Sequence, residues 1–144
     1  MKKVQLHNSM NTVVSDSGKL TFLEKDDLPF EIKRIYYIYS VEKGTLRGYH
    51  AHKNLRQLLI CTFGKIEILV DDGHSQETYL LDSPNKILYI GPGIWHEMSW
   101  LKQDSVLTVF ASEHFEEKYY VRSYKHFQKL VQEGYWSDND ENSI

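Results

Sequence analysis

Apolar and polar positions alternate in short runs through the first three quarters of the chain, and the runs are rich in β-branched and aromatic residues. They predict strands at Thr12 to Ser15, Lys19 to Glu24, Ile32 to Ser40, Leu46 to His52, Gln57 to Phe63, Lys65 to Val70, Glu77 to Leu81, Ile87 to Ile90, Trp95 to Trp100 and Val106 to Ala111. Turn residues separate the runs. Asp71-Asp72-Gly73 is the plainest hairpin, because Asp-Gly accepts the positive φ such turns require. Many short strands between Gly and Pro turns make an all-β sandwich or barrel. The pattern changes over Glu113 to Gln132, where Tyr120, Tyr124, Phe127 and Val131 recur at i, i+4, i+7 and i+11. That is the stripe of an amphipathic helix packed on the outside of the barrel, with Gly134 as its stop.

The elements form one domain over residues 1–134, followed by a tail at 135–144. Ser137 to Ser143 is acidic and has no apolar anchor, so disorder is expected there. Alternation along Ile32 to Ser40 puts Arg34 and Tyr36 on one face and Ile35 and Tyr37 on the other. Either face mixes apolar and polar groups, so periodicity does not choose the inward one.

A chain of 144 residues with 41% hydrophobic side chains fills one core and is too short for two ordinary domains. The net charge of -3 and the scattering of the 17 Lys and Arg argue against nucleic acid as a partner. No stretch approaches the roughly 20 apolar residues of a membrane span and no targeting segment is apparent, so a cytoplasmic protein is expected. The single cysteine, Cys61, lies among apolar residues and reads as a buried, unreactive thiol.

The chemistry gathers at Gly48-Tyr49-His50-Ala51-His52. Histidines two apart on a strand point to one face, so both imidazoles enter one cavity. Gly44 stands six residues before His50, Gln57 five after His52, and Gly64 seven after Gln57. Gly91-Pro92-Gly93-Ile94-Trp95-His96 offers a third histidine just past a Gly/Pro turn.

This framing resembles the first cupin motif, and Gly93-Ile94-Trp95-His96 the core of the second, with Gln57 in place of the motif's glutamate ligand. Four longer runs resemble, more closely, the sugar 3,4-ketoisomerases: Pro29 to Tyr37, Arg47 to Lys53, Leu88 to Pro92 with Trp95 to Met98, and Ala111-Ser112 leading to Tyr120-Val121-Arg122. The resemblance spans residues 12–131 in order. It implies a cupin jelly-roll barrel with a C-terminal α-helix and a homodimer. It also implies an isomerase that uses no metal and no cofactor and acts on dTDP-4-oxo-6-deoxyglucose, with products for bacterial surface glycans. His50 then matches the proton-transferring base and Tyr36 its assistant. His52 and Gln57 join the substrate-binding set, with Arg34 and Arg47 as candidates for the diphosphate, where a guanidinium gives bidentate contact. His96 matches the type that forms the galacto product. Ser17 stands where that type carries arginine and the gluco type tyrosine, and fits neither.

Three other readings fit the same residues. A metal-dependent cupin would use His50, His52 and His96 as ligands, a noncatalytic cupin would only bind a nucleotide sugar, and an epimerase would share the fold and the histidine base.

Overall fold

The computed structural model describes residues 1–9 and 11–137. Two five-stranded antiparallel sheets face each other as a jelly roll. The first has the order β1 (Val4–Asn8), β9 (Lys86–Ile90), β6 (Gln57–Phe63), β11 (Val106–Ala111) and β4 (Arg34–Ile38). The second runs β12 (Tyr120–Val121), β5 (Leu46–His52), β10 (Trp95–Trp100), β7 (Ile66–Asp71) and β8 (Gln76–Leu81). A separate hairpin of β2 (Thr12–Ser15) and β3 (Gly18–Thr21) projects from the barrel with nearly every residue exposed.

The inward positions of both sheets supply the main core: Leu59, Ile66, Ile68, Val70, Leu88, Ile90, Trp100, Leu107 and Val109 pack in one cluster. β6 is buried on both faces, because Leu58 and Ile60 point outward under a cover of Phe30, Ile87 and Tyr89. Cys61 is fully buried, as expected, and burial pushes its thiol up to about 11, so it stays protonated and inert. The hairpin between β7 and β8 is a four-residue loop, in which the Asp71 carboxylate accepts the Gly73 N–H at 2.6 Å and Asp72 Oδ1 accepts those of His74 and Ser75.

The expected strands are present within a few residues, and β1 is added to them. It pairs with β9 but buries only Val4, so its sequence lacks an apolar alternation. The helix is shorter than its stripe predicts. It begins at Tyr124, where Ser123 accepts the His126 N–H as N-cap, and α1 runs Tyr124–Gln132. Residues upstream form instead a 3-10 turn at Glu117–Tyr119 and then β12, whose Tyr120 and Val121 pair with His52 and Ala51 of β5. Edge pairing to β5 overrides the helical spacing and carries Tyr120 away from the helix.

Gly134 does stop the helix. It adopts φ +72°, its N–H reaches Val131 O, and that of Tyr135 reaches Leu130 O, the two bonds of a Schellman cap. Beyond it the chain stays packed at Trp136, which is buried against Phe127. The Trp136 indole N–H donates to Lys53 O at 2.9 Å, and its carbonyl accepts from Lys3 Nζ. The packed domain thus extends past residue 134, because an indole supplies the anchor that the acidic stretch lacks. The disorder expected for Asp138 to Ser143 lies outside the described residues.

Candidate active site

One mouth of the barrel opens into a cavity of about 400 Å³ between the two sheets. β4 contributes Arg34, Tyr36 and Ile38, which settles its inward face, while Ile35 and Tyr37 are exposed. β5 gives Arg47, Gly48 and His50, β6 gives Gln57 and Leu59, and β10 gives His96 and Met98. The segment 113–122 closes one side with Phe115, Tyr120 and Arg122.

The histidines meet as the alternation predicts. The His50 ring centroid lies 4.8 Å from that of His52 and 4.6 Å from that of His96. His52 stands behind the lining, buried, with the Tyr120 ring edge-on at 4.4 Å. Backbone carbonyls only accept, so the contact of His50 Nδ1 with Gly48 O at 3.1 Å places a proton on Nδ1 and leaves Nε2 as the free base. His96 makes the same choice through a longer contact of Nδ1 with Ile94 O, 3.4 Å. A bond from Gly93 N–H to His52 O, 2.9 Å, ties the loop carrying the third histidine to the strand carrying the first two.

Burial lowers the pKa of all three imidazoles, since a low-dielectric site disfavours the charged form. For His96, burial and the neighbouring His50 bring it to about 3. His52 falls well below 6.5 through burial and then its two histidine neighbours. For His50 burial again leads, opposed by the Gly48 carbonyl. All three are neutral near pH 7. Tyr36 donates its hydroxyl to Gln57 Oε1 at 3.2 Å, and burial, reinforced by Tyr120, raises its pKa to about 12. It is a phenol with a proton to give.

Among the described residues, three guanidinium groups, from Arg34, Arg47 and Arg122, line the cavity and no carboxylate does. With Arg122 paired to Glu117, the Arg34 and Arg47 guanidinium groups leave a local excess of positive charge in a chain of net charge -3. Arg34 lies over the rings of Tyr36 and Phe115, at 5.1 and 5.7 Å, with its buried Nε unpaired among the described residues. Arg122 is held by Glu117 through Nε–Oε1 at 2.5 Å and Nη2–Oε2 at 3.0 Å, above the Tyr120 ring at 4.7 Å. Two more buried polar atoms lack a partner among the described residues, His52 Nε2 and Gln57 Nε2. Orphaned groups of this kind mark a place where a polar ligand or water completes the bonding.

The cavity therefore gathers Arg34, Tyr36, Arg47, His50, Gln57 and His96, with His52 behind them. It does not gather Ser17, which sits in the exposed β2–β3 turn with its N–H on Ser15 Oγ. It adds Phe115, Tyr120 and Arg122, of which the helical stripe had assigned Tyr120 to the outside of the barrel. His50, His52 and His96 are also the one His/Cys/Asp/Glu cluster among the described residues with ligand atoms all within 4.8 Å, a donor set that suits a borderline divalent ion. Gln57 adds no charge to that set, and its Oε1 is taken by Tyr36.

The family described as "FdtA: WxcM-like, C-terminal" matches residues 2–132. The chain belongs to this family, the sugar 3,4-ketoisomerases of the cupin superfamily. A family member from Aneurinibacillus thermoaerophilus, TDP-4-oxo-6-deoxy-alpha-D-glucose-3,4-oxoisomerase, is 40% identical over 120 residues, 83% of this chain and 86% of its own. Among solved structures, a 3,4-ketoisomerase from Helicobacter canadensis superposes with a TM-score of 0.86 at 38% identity, covering 90% of this chain and 97% of that one. QdtA, a sugar 3,4-ketoisomerase from Thermoanaerobacterium thermosaccharolyticum solved with TDP, gives 0.86 at 39% identity, over 91% and 96%. A histidine-to-asparagine variant of QdtA has been solved with TDP-4-keto-6-deoxyglucose. Family membership makes this chain an isomerase acting on a ketone and hydroxyl of a nucleotide sugar.

Proposed function

We propose that the protein converts dTDP-4-oxo-6-deoxyglucose to a dTDP-3-oxo-6-deoxyhexose, with His50 moving the proton. The single observation that carries this is an imidazole whose Nδ1 meets the Gly48 carbonyl and leaves Nε2 free, in a cavity lined among the described residues by three guanidinium groups, a tyrosine hydroxyl and no carboxylate. The relatives' names supply the substrate, and the guanidinium groups suit its diphosphate.

The C4 carbonyl acidifies the C3–H bond. His50 Nε2 takes that proton, and the electron pair flows into a 3,4-enediolate with charge developing on O4. The Tyr36 hydroxyl donates to this oxyanion and recovers a proton from O3, after which His50-H⁺ returns its proton to C4. Every atom is conserved and no electron acceptor is required. An acid–base group whose ordinary pKa is about 6.5 can serve both transfers. Arg34, Arg47 and Arg122 hold the diphosphate, and the unpaired amide of Gln57 with His52 meets polar groups of the sugar. His96, 4.6 Å from His50, directs the returning proton to the face that gives the galacto configuration. A second copy of the chain pairs through the exposed apolar face of β4.

The test follows the ring protons of dTDP-4-oxo-6-deoxyglucose by NMR with chelator-treated protein. A new 3-oxo species supports the isomerase, and its C4 coupling constants read the galacto configuration. Exchange of the C5 proton without a 3-oxo product would establish an epimerase, and TDP binding without turnover a binding module. The three-histidine cluster favours one second reading, a metal enzyme, and activity lost to chelator and restored by a divalent ion would install it.

A further inference from the structure

We propose that a two-residue left-handed bulge, Gly48–Tyr49, sets the tautomer and aim of His50 and so positions it for the proton transfer. The inference rests on His50 being the base.

The pairing of β5 with β10 shifts at this point. His96 lies opposite His50 and Glu97 opposite Gly48, so Tyr49 is an extra residue with no partner on β10. Gly48 has φ +89° and Tyr49 φ +61°, two left-handed residues in succession inside a strand. Regular alternation would put Arg47 and His50 on opposite faces; the inserted residue changes the parity, and both line one cavity. The same turn aims the Gly48 carbonyl back at His50 Nδ1, 3.1 Å away, which holds the proton there and frees Nε2.

Only glycine fits at 48. A Cβ would stand 2.9 Å from the His96 carbonyl oxygen and 3.4 Å from Glu97 Cα, both main-chain atoms of the facing strand. The close approach also keeps the His50 and His96 rings together. Tyr49 is different: its side chain is substantially exposed, yet its backbone adopts a φ that an aromatic residue seldom takes. Strain of this kind persists where surrounding structure imposes it, and it clusters at active sites.

The experiment reads His50 directly in ¹⁵N-labelled full-length protein, by two-bond ¹H–¹⁵N imidazole correlation at pH 7.5, with signals assigned by their loss in His50→Asn. Wild type should show Nδ1–H. Tyr49→Gly, which tolerates positive φ, should keep that tautomer and hold kcat within about twofold. Tyr49→Val, whose branched side chain opposes positive φ, should show Nε2–H mixed in and lose about 10- to 100-fold in kcat with TDP affinity by calorimetry little changed. Should the valine protein not fold by circular dichroism, Tyr49→Ala takes its place. Nε2–H in wild type, a changed tautomer in Tyr49→Gly, or wild-type tautomer and turnover in the valine or alanine variant would each overturn the proposal. An Nδ1–H wild type that turns over no dTDP-4-oxo sugar would instead overturn the functional reading and leave the tautomer standing.

Discussion

At the scale of single residues, the proposed reaction assigns one group to move a proton and others to make the move possible. His50→Asn should lower kcat by about 10²- to 10⁴-fold while TDP still binds, measured by NMR turnover and calorimetry. Tyr36→Phe should lose about 10²- to 10³-fold, the usual effect of removing one donor to an oxyanion. The pH profile follows from the shifts. With His50 as the proposed base, acting in its free form, the burial that lowers its pKa should put the acid limb of kcat/KM below 6.5. Tyr36 stays protonated to about 12, so its ionisation adds no basic limb near neutrality. An acid limb above 6.5 would contradict the lowered pKa. His50 was legible because two-residue alternation on β5 is a strong geometric constraint, whereas alternation on β4 left its inward face open and Tyr36 was singled out only by the family resemblance. Arg122, Tyr120 and Phe115 were not. Tyr120 shares the spacing of a true helical stripe, and the pairing of β12 with β5 that moves it into the cavity is a long-range contact with no local signature.

At the scale of elements, the C-terminal segment acts as a clamp on the back of the site. Phe127 and Trp136 pack on Trp95 and Ala51, which are direct neighbours of His96 and His50 in sequence. Trp136 also caps Gly93, where a Cβ would come within 2.6 Å of the indole ring. Ending the chain after Gly134 should therefore destabilise it by about 3–5 kcal/mol, the range for deleting a buried large aromatic. The check is urea denaturation of the shortened and full chains. An unchanged midpoint would show that Trp136 carries no stability. The strand set and the helix stop were readable from apolar runs and from Gly134. Element starts were less so: β1 has a single buried residue, and the helix start depends on one serine side chain at the N-cap.

At the scale of the molecule, the buried imidazoles couple folding to pH. Unfolding restores their ordinary pKa of about 6.5, so below that value the unfolded chain binds protons that the folded chain does not. Stability is full above pH 6.5 and falls as pH drops through the window down to the folded value, about 3 for His96. Each such group contributes a slope of up to about 1.4 kcal/mol per pH unit. Thermal melts from pH 7.5 to 5 should show this fall, and His96→Gln should flatten it; a slope unchanged by that substitution would place the titration elsewhere. Assembly belongs to the same scale. β4 is an edge of its sheet, and the face turned from the site exposes Ile35 at 57% and Tyr37 at 63%, with Tyr39 beyond it at 63%. The projecting hairpin exposes Val13, Val14 and Leu20 as well. An open edge with apolar side chains on its outer face invites pairing, and a second copy would cover both. Light scattering should give twice the chain mass. Ile35→Lys with Tyr37→Asp should shift it toward one chain, with the melting temperature falling as the shared surface is lost. A wild type that runs as a single chain at micromolar concentration would remove the dimer from this account and leave the cavity chemistry untouched, because every residue assigned to the proton transfer comes from one chain.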